Sequence, residues 1–115
     1  MEVKTKKIYV AGPMSGHVGL NWDNFDRIAN QLRHEGWIAV NPADLDREQG
    51  VNPSQEMAVY DYTACALRDV EALLECNAIY LMDGWQYSRG ASWERALAKH
   101  HNIRRFYETP RLKDF

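Results

Sequence analysis

The 115-residue chain lacks any apolar run long enough for a signal peptide or a bilayer span. It also lacks a surplus of basic charge. Fourteen Lys and Arg against sixteen Asp and Glu leave a formal net charge of −2. That balance argues against nucleic-acid polymers as partners, although a local cationic spot for one phosphate stays compatible with it. Cysteine is scarce, and Cys65 and Cys76 fall in one helical stretch, roughly 16 Å apart at 1.5 Å per residue, too far for a bridge. The four histidines, His17, His34, His100 and His101, share no metal-ligand spacing with one another or with the cysteines. No internal repeat, low-complexity segment, dinucleotide fingerprint or P-loop pattern is present. These absences leave a cytoplasmic, single-domain protein over residues 1–115, with no metal or cofactor expected.

What is present is an alternation of short apolar runs with helical patterns. "KKIYVAG" (6–12), "WIAVN" (37–41), "NAIYLMD" (77–83) and "IRRFYE" (103–108) read as strands. Residues 21–36 place Trp22, Phe25, Ile28, Ala29 and Leu32 at helical spacing, with Asn21 as the N-cap and Gly36 as the stop. Residues 42–53, with two prolines and a glycine, read as a loop. Residues 54–76 are helical, with a break possible, and a last helix follows "GWQYS". Nearly continuous apolar strands separated by helices predict a small doubly wound α/β domain of four to five parallel strands. Such sheets bind ligands beyond their strands' carboxyl ends, where the strand order reverses. The loops "AGPMSGHVG" and "DGWQYSRG" belong to that edge.

Three acids stand out on apolar helical faces. Glu94 has Gly90, Ala91, Leu97 and Ala98 three and four residues away, and no base to pair with there. Asp69 has Cys65, Ala66, Ala72 and Leu73, and Asp61 has Met57, Ala58, Ala64 and Cys65. Burying an unpaired carboxylate is costly, so such groups mark functional sites unless Arg33, Arg68 or Arg89 pairs with them or they border the surface. Both readings stay open for each residue. Gly90, one turn before Glu94, leaves open space above its carboxylate. Ser88 and Gly90 begin the helix, where free N–H groups favour an anion and should help keep Glu94 ionised. Trp93 is expected in the core, and Trp85, in a strand-end loop, is the candidate for stacking on a base.

"KIYVAGPMSG", "RDVEALLECNAIYL" and "SRGASWERALA" resemble the nucleoside 2-deoxyribosyltransferase-like superfamily, over residues 7 to about 107. The resemblance implies a flavodoxin-like fold, a homodimer or larger homo-oligomer, and N-glycosidic chemistry on a nucleoside or nucleotide. By position it makes Glu94 the nucleophile, Asp69 the second acid and Tyr9 the tyrosine that hydrogen-bonds the nucleophile. It gives the 5′-phosphate to Gly12, Ser15, Gly16, Ser88 and Gly90; Pro13 and Met14 of the same turn are expected to bind substrate too, and Arg89 to favour a nucleotide. Ser92 replaces a family glycine and is expected to narrow the space beside Glu94, and Asn77 replaces a common acid. Transfer on free nucleosides and a non-catalytic nucleotide sensor are the alternative functions, with a purely structural role last. The helix at 54–76, with Met57, Val59, Tyr60 and Tyr62, is the expected interface between copies.

Overall fold

β1 (Lys7–Ala11) is buried along Ile8, Tyr9, Val10 and Ala11, because it is a central strand of the sheet. The computed structural model describes residues 6–14, 16–53 and 62–109, with the backbone alone for 62–64. Around β1 stand α1 (Trp22–His34), β2 (Ile38–Val40), α2 (Pro42–Glu48), α3 (Tyr62–Leu74), β3 (Ala78–Leu81), α4 (Arg89–His100) and β4 (Arg104–Tyr107). The four described strands run parallel in the order β2-β1-β3-β4, with Ile8 paired to both Ala39 and Ala78. The chain steps outward from β1 to β2 and then crosses back over to β3. The order therefore reverses between β1 and β3, and the protein has the doubly wound α/β architecture anticipated from the strand pattern.

Alternation along β1 divides the core. Ile8 and Val10 pack with Phe25, Ile28, Ala29 and Leu32 of α1, whereas Tyr9 and Ala11 pack with Leu73, Ala91 and Ala98 on the α3 and α4 side. Burying each large aliphatic or aromatic side chain of α1 stabilises the domain by roughly 1.5–3 kcal/mol. Gly36, at φ +100°, takes the left-handed conformation that ends α1.

Two local expectations are corrected. Residues 42–48 are helical, because Asn41 is extended and its side chain accepts the Ala43 N–H at 3.0 Å. Pro42 occupies the first helical position, where no backbone donor is needed. A composition rich in turn residues thus concealed a helix start. Asn21 stands at the N-cap position of α1 but makes no side-chain cap. It is left-handed (φ 61°), donates Nδ2 to the Pro13 carbonyl at 2.8 Å and accepts from Asn24 at 2.7 Å. It ties the loop after β1 to the start of α1.

That loop and the one after β3 touch. A Cβ at Gly12 would sit 2.9 Å from Cβ and Sδ of Met82, so only glycine admits this approach.

Candidate functional site

Over the switch point lies a cavity of about 1220 Å³. This exceeds the few hundred to about 1,000 Å³ of an ordinary ligand pocket. Its wall takes Tyr9 from β1, Gly12, Pro13 and Met14 from the first loop, Asp69 from α3, and Ser88, Arg89, Gly90 and Glu94 from the start of α4. Gly16 is not on the wall, and Ser15, Asp61, Met57, Val59 and Tyr60 lie outside the described residues, as does the side chain of Tyr62.

The floor of the cavity is a tyrosine between two acids. Tyr9 is completely buried, and its hydroxyl donates to Oε2 of Glu94 at 2.5 Å. Asp69 is near enough for its charge to act on Tyr9 as well. Glu94 is 9% exposed and has no ion pair among the described residues. Asp69 is paired: its Oδ1 accepts Nε (3.0 Å) and Nη2 (2.7 Å) of Arg68. The arginine pairing weighed for Asp69 therefore exists, and it does not take the carboxyl out of the cavity.

Burial raises Glu94 to about 8, while the Tyr9 hydroxyl opposes the rise and the charge of Asp69 adds to it. This overturns the expectation that the helix start keeps Glu94 ionised. Two of the first-turn donors have other uses: Ser88 Oγ caps the Ala91 N–H at 3.2 Å, and the Ser92 N–H bonds the Ser88 carbonyl. Burial likewise lifts Asp69 to about 6, against the lowering effect of Arg68. Tyr9 is held well above its ordinary value by burial and then by the two acids, so it stays a neutral hydroxyl.

Among the described residues, nothing outside its own helix backbone and chain neighbours comes within 4 Å of where a Cβ on Gly90 would stand, so the open space expected beside Glu94 is there. Ser92 does not narrow it. Its hydroxyl turns back to the carbonyls of Trp85 (3.1 Å) and Gln86 (3.4 Å), and it is not on the cavity wall. Asn77 is remote from the acids: Oδ1 accepts the Lys7 N–H at 2.9 Å, at the opening of β1.

The aromatic expectations reverse. Trp85 is not on the cavity wall; it packs on Tyr107 with the Arg95 guanidinium 5.0 Å from its ring. Trp93, expected in the core, is half exposed and lines the cavity, together with the exposed Tyr87. Helical periodicity marks Trp93 as one more large residue in an apolar helix and cannot tell a cavity wall from a core.

One residue escaped sequence reasoning altogether. Asp46 of α2 is fully buried, accepting from Arg68 Nη2 at 2.7 Å and from Trp22 Nε1 at 3.3 Å. Three and four residues before it are Ala43 and Pro42, but Gln49 and Gly50 follow at the same spacing, so the neighbour test that found Glu94 gives only half its signal here even with residues 42–48 read as a helix.

No curated protein matches the chain. Residues 6–107 match the family described as a domain of unknown function, DUF4406, and the chain belongs to that family.

Proposed function

We propose that the protein cleaves the N-glycosidic bond of a nucleoside 5′-monophosphate, using Glu94 and Asp69. The observation that supports this most is the pair of acids on one cavity wall, Glu94 held by a neutral tyrosine hydroxyl under open space. Retaining glycosidic chemistry needs one carboxylate to attack and one acid to assist the leaving group. The buried cluster favours Glu94 protonated and Asp69 ionised at rest, which is the reverse of the reacting pair. The proton held by Glu94 must first reach Asp69. That transfer leaves Glu94 ionised, a form the hydroxyl donated by Tyr9 favours, and Asp69 protonated, with no change in net charge. Glu94 then bonds to C1′, the C1′–N bond breaks, and the Asp69 proton goes to the departing base. Water, deprotonated by Asp69, opens the glycosyl ester and restores both groups.

The loop at 12–14 and the helix start at 88–90 support a phosphate-bearing substrate. The N–H groups of Arg89 and Gly90, the first two of α4, have no intrahelical acceptor, and Arg89 adds a cation. A second copy of the chain is proposed to cover the exposed rim that holds Leu67, Tyr87 and Trp93. A fully active 13.3 kDa monomer in sedimentation would remove that copy from the account.

One observation favours a second reading. A Glu94 that stays protonated is a hydrogen-bond donor and not a nucleophile, which suits a nucleotide-binding protein without chemistry. Incubation with a panel of nucleosides and 5′-monophosphates, followed by chromatography for free base, decides between them. Release of base from monophosphates supports cleavage. Tight binding with no base released supports the sensor, and equal turnover of nucleosides and monophosphates returns the protein to free-nucleoside transfer.

A further inference from the structure

Arg68 does not belong to Asp69 alone. Its Nη2 is shared between Asp69 Oδ1 and Asp46 Oδ1, both at 2.7 Å, and its Nη1 donates to Gln49 Oε1 at 2.8 Å. Asp46 has no exposed surface, and its second oxygen is held by the Trp22 indole at 3.3 Å. A fully buried carboxylate is expensive to maintain for a single ion pair, since an apolar residue of similar size often serves stability as well. Its placement calls for a use beyond stability. The cavity wall does not include Asp46, so it does not meet a ligand there. What it touches is the guanidinium that holds the acid on the wall.

We propose that Asp46, acting through Arg68, is a positioning residue for Asp69: by competing for the guanidinium it limits the positive charge given to Asp69, and it fixes the fork so that only Oδ1 is held. The role assigned to Asp69 rests on the cleavage reading above; the coupling between the two aspartates does not. Asp69 is faced by Arg68 on its own helix α3, Asp46 of α2, Tyr9 of β1 and Glu94 of α4. Two acids therefore share one cation, with a third acid beside them. If Asp46 took nothing from Arg68, the guanidinium would hold Asp69 ionised more firmly, and the carboxyl could not accept the proton it must later give to a leaving base. With no Arg68 at all, the acid would stay protonated at rest and could not receive one either. Asp46 holds the acid between those limits.

Opposite shifts from two substitutions test this in the whole protein. The titration of Asp69 is followed by carboxyl carbon NMR on aspartate-labelled protein, with Asp69→Asn identifying its signal. Asp46→Asn keeps the shape and removes the competing charge, so the Asp69 midpoint should fall by about one pH unit, a tenfold loss of proton affinity. Arg68→Met removes the cation and should raise the midpoint by at least as much. The acid limb of kcat/KM should move in the same two directions. Loosening of the fold would move both variants alike, so shifts of one sign, or an unmoved Asp69 in either folded variant, overturn the proposal. Opposite shifts in a protein that releases no base uphold the coupling and discard the cleavage reading. Base release with unmoved midpoints does the reverse.

Discussion

α2 contributes to two charge clusters that differ in every physical respect. On its outer side Asp44 and Arg47 join Arg33 and Asp26, two acids with two cations, all with side chains about 35–43% exposed. On its inner side Asp46 joins Arg68, Asp69 and Glu94, three acids with one cation, Asp46 and Glu94 buried and Arg68 and Asp69 nearly so. In the outer cluster the hydrogen bond from Arg47 lowers Asp26, outweighing the opposing effect of its burial. In the inner cluster burial wins, and both Asp69 and Glu94 are raised. Ion pairing at the surface satisfies charge at little gain. The inner cluster leaves acids short of cations, which is where proton chemistry becomes available.

Breaking the inner cluster at Glu94 should have the largest effect. Glu94→Gln is expected to lower kcat/KM for base release by at least about 10³-fold, as loss of an essential attacking group does. A variant that releases base as fast as the wild type would end the assignment of Glu94. The same substitution should raise stability. Because folding raises Glu94 from its ordinary 4.5 to about 8, its favourable share is complete below about 4.5 and is lost as pH rises through about 8. Gln carries no such penalty. The variant's advantage in Tm should therefore grow from near zero at acid pH to on the order of 10 °C in mild alkali. An advantage independent of pH would show that Glu94 is not held protonated.

Tyr9→Phe comes next. Its hydroxyl donates to Glu94, and a hydrogen bond to a charged group is worth roughly 1.5–3 kcal/mol, about ten- to a hundredfold in kcat/KM. Removing it takes away the bond that lowers Glu94, so the limb of the pH profile set by Glu94 should move to higher pH. A loss of rate with an unmoved limb would make Tyr9 a packing residue only.

The two clusters also mark where sequence is readable. The strands, the switch point and the apolar-faced acids Glu94 and Asp69 follow from short-range patterns, because burial on both sheet faces and helical spacing are local properties. Asp46 could not be seen while residues 42–48 passed for a loop, and its value depends on Arg68, twenty-two residues away. The misassigned tryptophans fail for a related reason. Trp85 lies in the turn after β3 and Trp93 on the helix that follows, and it is Trp85 that packs on Tyr107 beside Arg95, off the cavity wall. The protonation of Glu94 is likewise a property of depth, which no spacing records.

The outer cluster should yield the smallest effect, and its smallness sharpens the contrast. Asp26 accepts from Arg47 at 2.6 and 3.0 Å and from Asn41 at 2.9 Å, which is ideal geometry for a strong pair. Its side chain is nevertheless 35% exposed and Arg47 39%, so water screens the attraction. Asp26→Asn keeps an oxygen for Asn41 and should cost less than about 1 kcal/mol, read from urea midpoints. Since folding lowers Asp26, its contribution is present above its ordinary value of 3.8 and is lost as pH falls through the lower folded one. Adding molar salt should erase most of the difference at neutral pH, because the Debye length then falls to about 3 Å. The variant should also leave base release unaltered, since Asp26 meets neither Arg68 nor the cavity wall. A cost above about 2 kcal/mol that salt does not reduce would mean that the outer pair is as protected from water as the inner one, and the distinction between the two sides of α2 would fail.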